Sequence, residues 1–98
     1  MLFIIHWTIA TENRNAAMAR FAQTGGAPPP GLNVHGRWHA VGQAMGFAIA
    51  ETDDLELISK WVLDWSDLMS MQVYPAITDV QAAPLLTATL AMIAQRAI

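Results

Sequence analysis

Residues 32–52, LNVHGRWHAVGQAMGFAIAET, decide the fold. From 32 to 41 the side chains alternate. Leu32, Val34, Gly36, Trp38 and Ala40 fall on one face, and Asn33, His35, Arg37, His39 and Val41 on the other. Period two marks a strand with one polar side. GQAM (42–45) reads as a turn and GFAIAET (46–52) as the return strand, which makes a hairpin. A four-residue loop sets Val41 against Gly46, Ala40 against Phe47 and Trp38 against Ile49. It also sets His39 against Ala48, Arg37 against Ala50 and His35 against Thr52. A slip of one residue would exchange the two faces.

Upstream, LFIIHWTI (2–9) is an uninterrupted β-rich run, the pattern of a central strand buried on both faces. TENRNAAMARFAQTGG (11–26) reads as a helix with Thr11 as its N-cap, Glu12 in the first turn and Gly25–Gly26 ending it. Ala17, Phe21 and Thr24 share one face of that helix. The loop GGAPPPG (25–31) is stiffened by three prolines. Downstream, 53–68 is a second helix capped by Asp53 or Asp54. Leu55, Ile58, Val62 and Trp65 form its stripe, and Leu57, Trp61 and Leu68 widen it. Glu56 and Lys60 stand at the i,i+4 spacing of a supporting ion pair. MSMQVYPAI (69–77) is a fourth strand, shortened by Pro75. In the tail, Pro84 suits only a first turn, so regular helix is expected from about Ala83.

The order β-α-β-β-α-β followed by a helix is the ferredoxin-like split βαβ arrangement: an α+β fold with two helices on one face of a four-stranded antiparallel sheet. Residues 1–78 make this domain, and 79–98 add a C-terminal helix packed on the same domain or on a partner subunit. The other sheet face is bare in one copy. The 98 residues are 54% hydrophobic and 13% charged, more apolar material than so small a domain hides easily. A homodimer joined through the sheet faces, a dimeric α+β barrel, accounts for the surplus.

Composition excludes several classes. Net charge is −3 and the five basic residues are scattered, so the clustered footprint of a nucleic-acid binder is missing. With no cysteine there is no disulfide, no thiolate nucleophile and no Cys-ligated metal. The N-terminal run is too short to span a bilayer and lacks the basic and small-residue flanks of an export signal, so no membrane partner and a cytoplasmic location are expected. No P-loop, dinucleotide fingerprint or nucleophile elbow is present.

W-T (7–8), ENRNAA-ARF--TGG-PPPG (12–31), GRWHAVGQ--GFA (36–48), W---WSDL (61–68) and V-P (73–75) together carry a resemblance. The chain resembles a family of small bacterial proteins catalogued as DUF3303, which in turn resembles the dimeric α+β barrel superfamily. That superfamily holds cofactor-free monooxygenases, haem-degrading oxygenases, isomerases, dehalogenating enzymes and proteins with no known reaction. The resemblance implies the fold and the pairing through sheets, but no catalytic residues. Its haem-degrading members place an axial histidine on a helix. Neither main helix here has one, so no cofactor is expected.

The remaining candidates are histidines, Arg37 and tryptophans. His35, Arg37 and His39 on one strand face, over Ala48 and Ala50, leave room for a small ligand. Arg37 would pair a carboxylate and His39 would move a proton. The structural alternative is an edge strand whose polar residues discourage edge pairing. His6, on the first strand, is either a satisfied core histidine or an acid–base group joining Arg37 and His39. Trp7, Trp38, Trp61 and Trp65 either fill the core or, for one or two of them, wall a pocket between helix and sheet near Trp38, with Trp38 and Trp65 the ligand-binding candidates. Along a strand His35 and His39 lie roughly 13 Å apart, too far to share one ion, so no metal site is expected. Two functions remain. One is a small homodimeric protein that binds or transforms an aromatic or carboxylate-bearing metabolite, monooxygenase-like or isomerase-like and without a tightly bound cofactor. The other is a non-catalytic dimerisation or stress-associated module.

Overall fold

The alternating segments pair into one antiparallel sheet in the computed structural model, which describes residues 1–96. The elements are β1 (Leu2–Thr8), α1 (Arg14–Thr24), β2 (Asn33–His39), β3 (Met45–Glu51), α2 (Leu55–Trp65), β4 (Ser70–Ala76) and α3 (Asp79–Arg96). The sheet order is β2-β3-β1-β4, so the ferredoxin-like topology stands and β2 is an edge strand.

One face of the sheet makes the core. Phe3, Ile5 and Trp7 of β1 and Ala48 and Ala50 of β3 pack with Leu32 and with Ile58, Trp61 and Trp65 of α2. The opposite face is bare. On it, Ile4 and Thr8 are exposed and His6 is half-buried, so β1 is buried on one side only within a single chain. Its unbroken apolar run does not report a two-sided core inside the chain.

The hairpin turn differs from the expected one. Gly42 and Gln43 both have positive φ, and the Gln43 N–H donates to the Ala40 carbonyl at 2.9 Å. The turn therefore starts early, and His39 opposes Gly46, Trp38 opposes Phe47 and Arg37 opposes Ala48. This is a slip of two residues, which preserves the faces. A bulge then falls between Val34 and Gly36, with Val34 against Ala50 and Gly36 against Ile49. His35 is the extra residue, and an extra residue reverses the parity of everything before it. Leu32 and Val34 thus join the core on the same side as Arg37 and His39.

The helices depart in detail. Thr11–Asn13 forms a 3₁₀ turn ahead of α1, so Thr11 does not cap the α-helix. Gly25, at φ 69°, closes α1 with its N–H on the Phe21 carbonyl. Asp54 caps α2 by accepting from the Glu56 N–H at 3.0 Å, a contact worth about 1 kcal/mol. Lys60 pairs with Asp64 at 3.2 Å instead of with Glu56. β4 continues past Pro75 to Ala76, which an edge strand tolerates.

α3 starts a turn earlier than expected because Thr78 and Gln81 form a capping box. The Gln81 side chain accepts from the Thr78 N–H at 2.8 Å, and the Thr78 hydroxyl accepts from the Gln81 N–H at 3.2 Å. Pro84 therefore sits inside the helix. No described residue of α3 is buried, and Leu85, Leu86, Leu90 and Ile93 are exposed. The radius of gyration is 17.5 Å, against roughly 13 Å for a compact chain of this length. The helix does not pack on its own domain. The last two residues of the expected 79–98 unit lie outside the described residues. No described helix is long and apolar enough to cross a membrane.

Gly46 provides a test of the packing. A Cβ there would lie 2.5 Å from the Trp7 ring and 2.6 Å from the Trp38 carbonyl oxygen. Gly46→Ala is expected to lower stability by about 1–3 kcal/mol in urea unfolding, since neither a core ring nor a strand backbone can step aside. A change within experimental error would show that this contact is soft.

Candidate functional site

Between the sheet and the two helices a cavity of about 310 Å³ remains. Its floor includes Ile5 and Trp7, α2 contributes Trp61 and Trp65, and α1 contributes Ala17 and Phe21. The cavity exists because α1 stands off the sheet: Ala17 is the only residue it buries.

Polar contacts hold α1 in place. The Arg20 guanidinium makes two 2.7 Å bonds to the Asp67 carboxylate, one to each oxygen, and a 2.9 Å bond to the Asp64 carbonyl. It also lies 5.5 Å from the centre of the Trp65 ring. This fork ties α1 to the end of α2. Arg20 holds the Asp67 carboxyl below its ordinary pKa, chiefly through the side-chain hydrogen bond.

The second anchor is Arg37. From the inner face of β2 it donates to the Gly26 carbonyl at 2.7 Å and to the Gly25 carbonyl at 3.0 Å, and its guanidinium carbon lies 4.8 Å from the Phe21 ring centre. The carbonyl end of a helix favours a cation. A Cβ on Gly26 would come within 2.7 Å of the guanidinium, so this approach requires glycine. Burial lowers the Arg37 pKa. Among the described residues no carboxylate pairs with Arg37, and no charged side chain other than it lines the cavity, histidine aside. Two of its five N–H groups are thus committed to the carbonyls that follow α1.

His39 lines the same cavity. Its ring meets Trp7 edge-on at 5.9 Å and Phe21 at 5.3 Å, and it is exposed. The structure thus brings together Arg37, His39 and Trp65 of the expected site residues. It does not bring in His6, His35 or Trp38. The bulge turns His35 to the bare face, where its Nε2 lies 2.8 Å from the Glu51 carboxylate. His6 pairs with Gln72 on that face at 3.1 Å, and so cannot join Arg37 and His39. Trp38 is 51% exposed there, stacked on Phe47 at 5.1 Å and lying over Gly36. Trp7 and Trp61 belong to the core and line the cavity as well, and Phe21, which the sequence placed only on a shared helix face, lines it too. The signal for Trp7 was its shared parity with Phe3 and Ile5, and for Trp61 its i−4 spacing from Trp65. Among the described residues no three His, Asp or Glu side chains converge as metal ligands would.

The family model described as a domain of unknown function, DUF3303, matches residues 1–90. No curated protein matches the chain. Among solved structures the chain is similar to a protein from Deinococcus radiodurans described as a proposed antibiotic biosynthesis monooxygenase. The identity is 11% and the TM-score 0.43, covering 80% of this chain and 94% of that one.

The Arg20–Asp67 fork has a defined pH dependence. The Asp67 pKa is depressed in the folded state, so its stabilisation is complete above the unfolded carboxyl value near 3.8 and disappears as pH falls through the folded value. The stability gap between the wild type and Asp67→Asn should therefore be constant at neutral pH and close in acid below pH ~4. Urea unfolding at a series of pH values measures it, and a gap that persists unchanged into acid would remove the fork from the account of α1.

Proposed function

The chain belongs to the DUF3303 family, and on the strength of its cavity we propose that it binds a small aromatic, carboxylate-bearing metabolite between sheet and helices. The observation that carries this reading is Arg37: a half-buried cation with no carboxylate partner among the described residues, at the wall of an otherwise aromatic and aliphatic cavity. A cation held away from water without a counter-charge is costly, and a ligand carboxylate offsets that cost. A volume near 310 Å³ lies at the small end of ligand sites, which suits one substituted ring. Trp65 and Phe21 offer that ring faces and edges to pack on. His39, at the exposed edge and not hydrogen-bonded among the described residues, is placed to exchange a proton with a bound ligand, as an isomerase-type reaction requires.

The test is calorimetric titration with a panel of substituted benzoates. Arg37→Lys keeps the charge but loses the planar fork, and should weaken binding by about tenfold or more. His39→Ala should leave affinity within a few-fold and abolish any turnover. Equal affinity for benzoates in the wild type and Arg37→Lys would sink the carboxylate assignment.

The bare sheet face favours a second, compatible reading, a homodimer joined through that face. Trp38, Phe47, Ile4 and Tyr74 are all exposed on it, and a contiguous apolar patch of this kind commonly marks an interface. Phe47 stands at the centre of the patch, against His6 and Trp38. The wild type should elute at twice the chain mass in light-scattering chromatography and Phe47→Asp at the chain mass. A monomeric wild type would leave the dimerisation module without support.

A further inference from the structure

We propose that the cavity selects aromatic acids that carry a second hydrogen-bond acceptor away from the carboxylate, and that the Trp61 indole N–H reads this acceptor. The inference rests on the carboxylate-binding reading of Arg37 and adds a specificity residue to it.

Trp61 lines the cavity from α2, whereas Arg37 lines it from the edge strand β2. The two donors therefore belong to different walls. Trp61 is 5% exposed, and its Nε1 is enclosed without an acceptor, the one such side-chain atom among the described residues. Buried donors without partners are uncommon in folded proteins, because losing water without replacing its hydrogen bond is unfavourable. Filling the core does not explain it. Phenylalanine would supply a ring at this position with no orphan donor.

The rest of the lining points the same way. The cavity is walled by apolar side chains and by Arg37, His39, Gln43 and three tryptophans, with no carboxylate or hydroxyl side chain among them. Guanidinium and indole groups donate and do not accept. With acceptors only on Gln43 and His39, such a lining favours ligands that present oxygen. The Trp61 nitrogen is shut off from solvent, so an acceptor reaches it as the ligand displaces lining side chains. Met69 and Met71, unbranched and adaptable, belong to that lining. A planar acid with its acceptor at the far end of the ring satisfies both donors at once.

A matched pair of probes tests this: 4-acetylbenzoate and 4-isopropenylbenzoate, which differ by a carbonyl oxygen against a methylene. Calorimetry on the wild type should show the ketone binding about fivefold or more tightly than the alkene, the value of one neutral hydrogen bond. In Trp61→Phe the ratio should fall to about one, whatever the common shift that the smaller ring imposes on both affinities. In a ¹H–¹⁵N spectrum, the indole signal missing from Trp61→Phe should shift with the ketone and not with the alkene. Equal wild-type affinities, or a preference that survives in Trp61→Phe, would overturn the inference and leave the carboxylate reading standing. If neither acid binds, the carboxylate reading fails and the inference with it. Should Trp61→Phe fail to fold, the wild-type spectrum decides: an indole signal that moves only with the ketone supports the proposal, and four unmoved signals overturn it.

Discussion

The bulge at His35 is the constraint on which the site depends. In a regular strand Leu32 and Val34 share a face with Trp38, and Arg37 and His39 point the other way. The fold would then lose either the two aliphatic core residues or the two polar cavity residues from the inner face. One extra residue between Val34 and Gly36 removes the conflict. Leu32 and Val34 close the core near the start of β2, and Arg37 and His39 enter the cavity near its end. His35 is expelled to the bare face, where Glu51 receives it. Gly36 beside the bulge also leaves space for the Trp38 ring.

A second consequence concerns α1. α2 is fixed by three buried residues, Ile58, Trp61 and Trp65, whereas α1 is fixed mainly at its polar contacts. Arg20 grips the end of α2, and Arg37 grips the end of α1. Elements with little buried apolar surface sit at the low end of local stability, which is where ligand-gating motions are drawn from. The same arrangement that opens the cavity therefore makes α1 its most adjustable wall. Arg37 belongs to both, since it holds the C-terminal end of that wall and itself lines the cavity.

The chain also leaves two apolar surfaces uncovered, the outer sheet face and α3. From Val80 to Gln95 the helix carries no charged residue, and an uncharged, largely apolar helix is ordinarily buried. Together these surfaces account for the high hydrophobic content read from composition, which the chain's own core absorbs only in part.

Periodicity determined the elements and their order: the alternation of 32–52, the apolar stripe of α2 and the glycines ending α1 were sufficient for the ferredoxin-like topology. Local capping chemistry was legible as well, as at Asp54. What the sequence did not determine was parity. A bulge adds a residue to one strand without leaving a composition signal, yet it decides which of His35, Arg37 and His39 share a face. Likewise the tryptophans stayed open between core and pocket, because a tryptophan that packs and one that walls a cavity have the same spacing. Pro84 and the bare side of β1 show the same limit. A capping box upstream outweighed the proline, and an unbroken apolar strand does not say whether its second face is covered by its own chain. The sequence by itself determined which segments form and how they alternate. Only the tertiary structure decided which side each polar residue takes and where space remains, because register and helix stand-off are set by contacts between segments distant in the chain.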